Sequence, residues 1–149
     1  MTKSAPEQSI YWRLLPFKAA IDAGIPAIMV SNATVPGLSS MPASVSHTVV
    51  TGLLRHRLGF GGLVMSDSLS AHALGDADYR LGRAVVQPLR AGDDLIVFGS
   101  SQQLGPVLTR RASAAITTAV ESGALPKRRL LAAVASVLQV KQTDLCRTG

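Results

Sequence analysis

The chain has 149 residues, a formal net charge of +6 and 47% hydrophobic residues against 16% charged ones. This length favours one domain, and the apolar content excludes an intrinsically disordered chain. The single cysteine, Cys146, excludes an internal disulfide framework and a CxxC metal site. No apolar run reaches the roughly 18–20 residues of a membrane-spanning helix. The first residues lack the apolar core of a secretory signal. The sequence as given is therefore expected to be cytoplasmic, and a longer precursor would be expected to be exported, so the compartment stays open.

The positive charge is concentrated in the last third of the chain. Residues 101–149 hold seven Lys or Arg and only two Asp or Glu. Such a basic stretch raises the question of nucleic-acid binding. However, aromatic residues are not interleaved with the basic ones, as stacking on single-stranded bases requires. We therefore interpret the basic residues as solvated faces of two amphipathic helices and expect no nucleic-acid partner.

Hydrophobic periodicity predicts helices alternating with short strands. Helices are predicted over about 14–23, 49–58, 79–91, 107–121 and 126–140, and strands over 27–31, 63–66 and 94–98. The Pro-, Gly- and Ser-rich segment 32–43 is predicted to be a loop. Ser44 or Ser46 is expected to cap the second helix, Pro88 to bend the third, and Pro126 to begin the last.

This order of elements predicts parallel strands joined by helical crossovers, as in an open doubly wound sheet or a closed barrel. The glycine cluster Gly59–Gly62 precedes a strand, which is the wrong side for a dinucleotide-binding turn. Ser66 and Ser68 do not lie in a G-x-S-x-G motif, so a nucleophilic serine has no support. The three histidines, His47, His56 and His72, lack metal-ligand spacing. We expect no bound metal.

Chemistry in both architectures gathers at the carboxyl ends of the strands. Ser31 and Asn32 follow the first predicted strand, and Ser66, Asp67 and Ser68 end the second. Asp67 is the strongest candidate for a reacting group, although an Asp at this point can equally cap the next helix or turn.

A second acidic pair, Asp93–Asp94, precedes the third predicted strand. This position is the amino end of the strand, where polar residues serve stability. We therefore interpret the pair as structural.

Seven pieces of the sequence occur in one order that is specific in combination. They are Leu14–Phe17, Ala20–Gly24, Met29–Leu38, Pro42–Ser44, Gly52–Arg55, Leu58–Leu69 and Ala91–Leu95. Together they resemble the family 3 glycoside hydrolases, in the β-N-acetylhexosaminidase branch. The resemblance implies an α/β fold: a partial TIM-like (β/α)8 barrel, about strands six to eight with flanking helices. It places residues 14–140 in the barrel, 1–13 in an unmatched segment and 141–149 in a tail.

The resemblance also implies a chemistry. Asp67 matches the catalytic nucleophile of a retaining glycosidase, and Ser31, Asn32 and Ser68 are expected to bind substrate. The implied substrate is a glycan or cell-wall fragment with terminal β-linked N-acetylglucosamine, and no cofactor is implied. Two positions depart from the family pattern: relatives often carry histidine at Asn32 and an acidic residue at Gly61.

The general acid/base of the branch comes from a preceding part of the barrel that this sequence does not contain. Three functions stay open: a truncated hydrolase with little activity alone, a half-barrel that assembles with a partner chain or a second copy, and a noncatalytic sugar- or polyanion-binding module. We expect the isolated chain not to be a stable, active monomer, because its inward-facing strand residues would lack partners. We expect the inward-facing residues to be among Ile28, Val30, Val64, Ile96 and Phe98.

Overall fold

The computed structural model describes residues 5–68, 81–98 and 105–143. Helices in these ranges are α1 (Ala5–Asp22), α2 (Thr48–Arg57), α3 (Leu81–Ala91), α4 (Gly105–Glu121) and α5 (Lys127–Val140). Strands are β1 (Ala27–Val30), β2 (Thr34–Val35), β3 (Ser39–Pro42) and β4 (Leu63–Ser66). A 3₁₀ turn (Ala43–Val45) leads into α2, which is wound as a π-helix. The predicted helices are confirmed where described; residues 79 and 80, the predicted start of α3, lie outside these ranges.

The principal sheet is parallel, as the order of elements predicts. In it β1 pairs with β4, with Ala27 opposite Leu63 and Val30 opposite Ser66. Leu95 joins the other edge of β4 through a parallel bridge to Met65. The strand β4 is therefore the central element of the described sheet.

The third predicted strand, 94–98, is only partly confirmed. Leu95 donates its N–H to the Val64 carbonyl at 3.1 Å and accepts the Ser66 N–H at 2.9 Å. Beyond this point the Val97 N–H bonds to the Ser66 hydroxyl at 3.1 Å instead of a backbone carbonyl. Because a side chain takes the place of the next ladder partner, the segment follows the sheet without forming a regular strand.

The predicted loop 32–43 is wrong in its middle, where β2 and β3 form a small antiparallel hairpin. The Leu38 N–H bonds to the Val35 carbonyl at 3.0 Å, and Gly37 has φ +84°. Pro36 followed by glycine at positive φ is the signature of a type II turn. The residues that suggested an irregular loop are thus the ones that close this hairpin.

Helix packing covers one face of the parallel sheet. Ile28, Val30 and Val64 are buried in one apolar cluster with residues of α2 and its flanking turns. The other members of this cluster are Ala43, Val49, Val50, Leu54, Phe60 and Ala91. A second cluster, Leu89, Ala119, Leu125 and Ala133, joins α3, α4 and α5, with Ile96 packed against it.

The inward-facing residues sought among Ile28, Val30 and Val64 are therefore not found there. Alternate strand residues point to opposite faces, and these three share the face that the helices cover. Ile96 and Phe98 also face helices, since both border a cavity lined by α4 and α5.

The opposite face of the sheet carries a row of large apolar side chains. Met29 pairs with Met65, and Met65 is bridged to Leu95. Met29 is 54% exposed, Leu95 is 37% exposed and Met65 is half-buried. We call these three residues the open-face row.

The amino end of the sheet is held by a charged cluster. The Asp94 carboxylate accepts one hydrogen bond from Arg55 and one from Arg129, each at 2.7 Å, and a third from the Val64 N–H at 3.1 Å. The structural interpretation of Asp94 is thus confirmed. Arg129 corrects the interpretation of the basic helices as solvated, because its guanidinium also donates to the backbone of α3 at Leu89.

Asp93 lies beside this cluster and is bound to it only through its backbone carbonyl, which accepts a hydrogen bond from Arg129. Its side chain is fully buried, and neither carboxylate oxygen has a hydrogen-bond partner among the described residues. Burial, reinforced by the negative charge of Asp94, raises the pKa of Asp93 to about 8, although Arg129 and Arg55 act in the opposite direction.

Two capping expectations are corrected. No side chain caps α2, whose N-cap residue is His47, so neither Ser44 nor Ser46 has the predicted role. Pro126 is the N-cap of α5 instead of its first helical residue. No helix in the described part of the chain is long and apolar enough to cross a membrane.

Candidate active site at the carboxyl end of the sheet

Asp67 stands directly after β4, at the carboxyl end of the parallel sheet. Its N–H donates to the Val30 carbonyl at 2.9 Å, which extends the β1–β4 ladder by one bond. The register that pairs Val30 with Ser66 makes Ser31 the neighbour of Asp67 across the strands. The sequence prediction that these two strand ends meet is therefore confirmed.

The carboxylate of Asp67 is oriented by two backbone donors. Its Oδ1 accepts the Ser68 N–H at 2.7 Å, and its Oδ2 accepts the Asn32 N–H at 3.4 Å. The residue is half-buried. The first bond is short and the second is long, so Oδ2 is the less constrained oxygen.

Asn32 is buried beneath Asp67, with 3% of its surface exposed. Its Nδ2 donates to the Ser68 carbonyl at 2.9 Å, and its Oδ1 accepts the Ser44 hydroxyl at 2.6 Å. The observed partners of its side chain are therefore protein groups. Its predicted contact with substrate stays a prediction.

The two remaining predicted site residues lie nearer the surface. Ser31 is exposed, and its hydroxyl accepts the Ala33 N–H at 3.0 Å. Ser68 is half-buried beside Asp67. Both can be approached by a ligand at this edge of the sheet, and their binding role stays a prediction.

Histidines do not contribute to the described site. His47 is exposed just before α2, His56 is exposed on α2, and His72 lies outside the described residues. Among the residues that the structure describes, no three His, Cys, Asp or Glu side chains gather into a group that could hold a metal ion.

Sequence reasoning missed the buried partner of Asn32. Ser44 was expected to cap a helix, whereas its hydroxyl turns toward β1 and its N–H donates to the Ser31 carbonyl at 3.1 Å. The available signal was its place in the Pro42–Ser44 piece, which belongs to the same ordered set as the Asp67 segment. Arg55 and Arg129 were missed as well, because their partner Asp94 is distant in sequence.

Fold and site together define an α/β protein with a carboxylate at the edge where parallel-sheet enzymes hold their reacting groups. Residues 2–140 match the model of the glycosyl hydrolase family 3 N terminal domain, so the chain belongs to this family.

Relatives in this family carry glycosidase names. The chain is 31% identical over 134 residues to the β-hexosaminidase LpqI of Mycobacterium tuberculosis, covering 86% of this chain and 33% of that protein. It is 36% identical over 84 residues to a β-hexosaminidase of Chromobacterium violaceum, covering 56% of this chain and 23% of the relative.

Solved structures confirm the expected fold. A family 3 β-N-acetylglucosaminidase from Paenibacillus sp. str. FPU-7 superposes with a TM-score of 0.78 at 34% identity, over 87% of this chain and 24% of that one. The β-N-acetylglucosaminidase from Thermotoga maritima superposes with a TM-score of 0.81 at 23% identity, over 95% of this chain and 31% of that one. At this identity the likeness shows the fold alone. The chain thus spans a quarter to a third of these proteins. The assignment to strands six to eight stays a prediction.

Proposed function

We propose that this chain carries the nucleophile of a retaining glycoside hydrolase that removes terminal β-linked N-acetylglucosamine. The observation that carries the proposal is Asp67: a half-buried carboxylate, oriented by two backbone N–H groups, at the carboxyl end of a parallel α/β sheet. The substrate class is supported by the names of relatives and of solved structures at 30% identity or more.

The geometry suggests how Asp67 would react. Retaining glycosidases form a covalent glycosyl–carboxylate bond at the anomeric carbon while the bond to the leaving oxygen breaks. Oδ2 is the better attacking atom, since its single described hydrogen bond is the long one. The Ser68 N–H would keep its bond to Oδ1 throughout and hold the carboxylate plane. Water then releases the sugar and regenerates Asp67.

The proton for the leaving oxygen would come from a group outside this chain. Loss of such acid assistance typically lowers a rate by about 100-fold to 10,000-fold. Ser31 and Ser68 are proposed to contact the sugar, and Asn32 to contact it or to support Ser68. The enzyme to be tested is therefore a completed barrel, meaning this chain preceded by the part of the Mycobacterium tuberculosis relative that lies before the matched region.

The decisive test is covalent labelling of the completed barrel with a 5-fluoro glycosyl fluoride of N-acetylglucosamine, read by peptide mass spectrometry. We expect the label on Asp67 and its loss in Asp67→Asn, because an amide cannot attack the anomeric carbon. Asp22→Asn is the matched control, since Asp22 is an exposed carboxylate at the end of α1. Undiminished labelling of Asp67→Asn would remove Asp67 from the mechanism.

A second candidate function is a half-barrel that assembles with a partner. It is favoured by the open-face row, which presents Met29 and Leu95 to solvent on the sheet face that the described helices leave uncovered. A further set of strands packing on this face would bury the row as the interior of a barrel. In this case the acid/base and most of the sugar contacts would come from the partner.

A further inference from the structure

We propose that Ser44 is a positioning residue for Asp67 and acts through the side chain of Asn32. This inference rests on the proposed function, because it assigns Ser44 to the site in which Asp67 is the nucleophile. Ser44 is fully buried, so it acts on the site through protein groups and not by touching the sugar.

The first step is the orientation of the Asn32 amide. The Ser68 carbonyl can only accept a hydrogen bond, so the atom of Asn32 that faces it at 2.9 Å must be Nδ2. Oδ1 then faces Ser44, whose hydroxyl must donate at 2.6 Å. The Ser68 carbonyl thus selects the amide orientation, and the Ser44 hydroxyl holds Oδ1 in it as a buried donor.

The second step runs from Asn32 to Asp67. The side chain of Asn32 holds the Ser68 carbonyl, and its backbone N–H reaches Oδ2 of Asp67. The N–H of Ser68, on the other side of the same residue, holds Oδ1 at 2.7 Å. Asn32 therefore constrains both donors that orient the carboxylate.

The backbone secures Ser44 against β1. Its N–H donates to the Ser31 carbonyl at 3.1 Å, and the Ala43 N–H donates to the Ala33 carbonyl at 2.9 Å. These two bonds hold the 3₁₀ turn beside the end of the strand. Because the turn is anchored, the hydroxyl of Ser44 is a fixed donor, and a fixed donor orients a buried amide at low entropic cost.

Removing the hydroxyl leaves Oδ1 of Asn32 without this buried partner. We expect the amide, held on one side only by the Ser68 carbonyl, to shift, and the carboxylate of Asp67 to move from its position relative to the anomeric carbon. A misplacement of about 1 Å at a reacting group can cost about 100-fold in rate. Substrate binding would change little, since Ser44 contacts no ligand.

The test measures saturable inactivation of the completed barrel by the same fluorinated glycosyl fluoride, separating the limiting rate from the half-saturating concentration. Ser44→Thr and Ser44→Val have nearly equal volume and differ in the hydroxyl. We expect Ser44→Val to lower the limiting rate about 10-fold to 100-fold and Ser44→Thr to retain most of that rate. The half-saturating concentration should stay within about 2-fold of the natural value in both variants, because the change affects orientation and not binding.

A double-mutant cycle tests the path through Asn32. Ser44→Ala should slow labelling in the wild-type background and add nothing in Asn32→Ala, because both act through one chain of hydrogen bonds. Ser40→Ala, at an exposed serine of β3, is the control.

Equal rates for the Thr and Val variants, or a Ser44→Ala effect that persists in Asn32→Ala, would overturn the role of Ser44 while Asp67 is still labelled. Absence of label on Asp67 in the otherwise unchanged protein would instead overturn the proposed function, and the role of Ser44 with it.

Discussion

Single residues in this chain show how the surroundings of a carboxylate decide what it does. Asp67 is half-buried and oriented by two N–H donors. Asp94 is buried and neutralised by two arginines. Asp93 is buried, and its carboxylate oxygens have no hydrogen-bond partner among the described residues. The same side chain is therefore found oriented at a strand end, paired as a structural anchor and buried with a raised pKa within one small fold.

Asp93 leads to a prediction about pH. Its pKa is about 8 in the fold, against an ordinary value of 3.8. Between these values the folded state keeps a proton that the unfolded state releases, so the free energy of unfolding falls as the pH rises, by at most about 1.4 kcal/mol per pH unit. The stabilisation is fully present below about pH 4 and is lost as the pH rises through 8.

Replacing Asp93 by Asn removes this titration and keeps the shape of the side chain. We expect Asp93→Asn to be more stable than the natural chain above pH 7 and to show a flatter pH profile. Urea unfolding at pH 5, 7 and 9, at one fixed chain concentration, measures the difference in stability and the slope of the pH profile. The control is Asp22→Asn at the exposed end of α1. A profile as steep in Asp93→Asn as in the natural chain would assign the pH dependence to another group.

At the scale of elements, the charged cluster joins parts that are distant in sequence. Arg55 lies on α2, Arg129 lies in the first turn of α5, and Asp94 precedes the third segment of the sheet. Arg55 also donates to the carbonyls of Gly62 and Gly92, at the turns that lead into these strands. The cluster thus fixes the amino end of the sheet, opposite the end at which Asp67 lies.

We predict that Arg129→Met destabilises the fold by about 1.5–3 kcal/mol, the range for hydrogen bonds to charged groups. Methionine keeps much of the apolar stem but loses the bonds to Asp94 and to the Leu89 carbonyl. Arg128→Met is the matched control, because Arg128 is exposed on the same turn of α5. Thermal unfolding by circular dichroism compares the two, and equal midpoints would show that the cluster contributes no net stability.

At the scale of the whole molecule, the sheet is covered on one face only in the described residues. Full burial of one large apolar side chain contributes about 1.5–3 kcal/mol, so the three partly exposed side chains of the open-face row together forgo about 2–4 kcal/mol. That amount is large against a typical total stability of about 5–15 kcal/mol. The isolated chain is therefore expected to be partly unfolded or to associate through this face.

Substitutions on the open-face row test this expectation. Met29→Lys should shift the isolated chain toward monomer, because a buried lysine without a partner opposes packing on this face. Met41→Lys is the control, at an exposed methionine of the β2–β3 hairpin. Sedimentation velocity over a range of concentrations measures the mass. If the natural chain is monomeric, unfolds cooperatively and turns over a chromogenic N-acetylglucosaminide, both the expected association through the open-face row and the half-barrel function are refuted.

Much of the site could be predicted because its residues are adjacent to strongly patterned elements. Apolar runs predict β1 and β4, and parallel strands bring Ser31, Asn32 and Asp67 to one edge without any knowledge of side-chain contacts. The order of the seven sequence pieces indicated the family, which the comparison with the family model then confirmed. These features are local in sequence or follow from the order of elements.

Other features were decided only by tertiary structure. Periodicity identifies alternating strand residues but not the face that helices cover, which is why inward-facing residues were sought among Ile28, Val30 and Val64, which lie on the covered face. The hydroxyl of Ser44 satisfies Asn32 and not a helix end, and Asp94 finds two arginines far away in the chain. Such choices depend on which donors and acceptors meet after packing, because a buried polar group takes whichever partner the fold brings within reach.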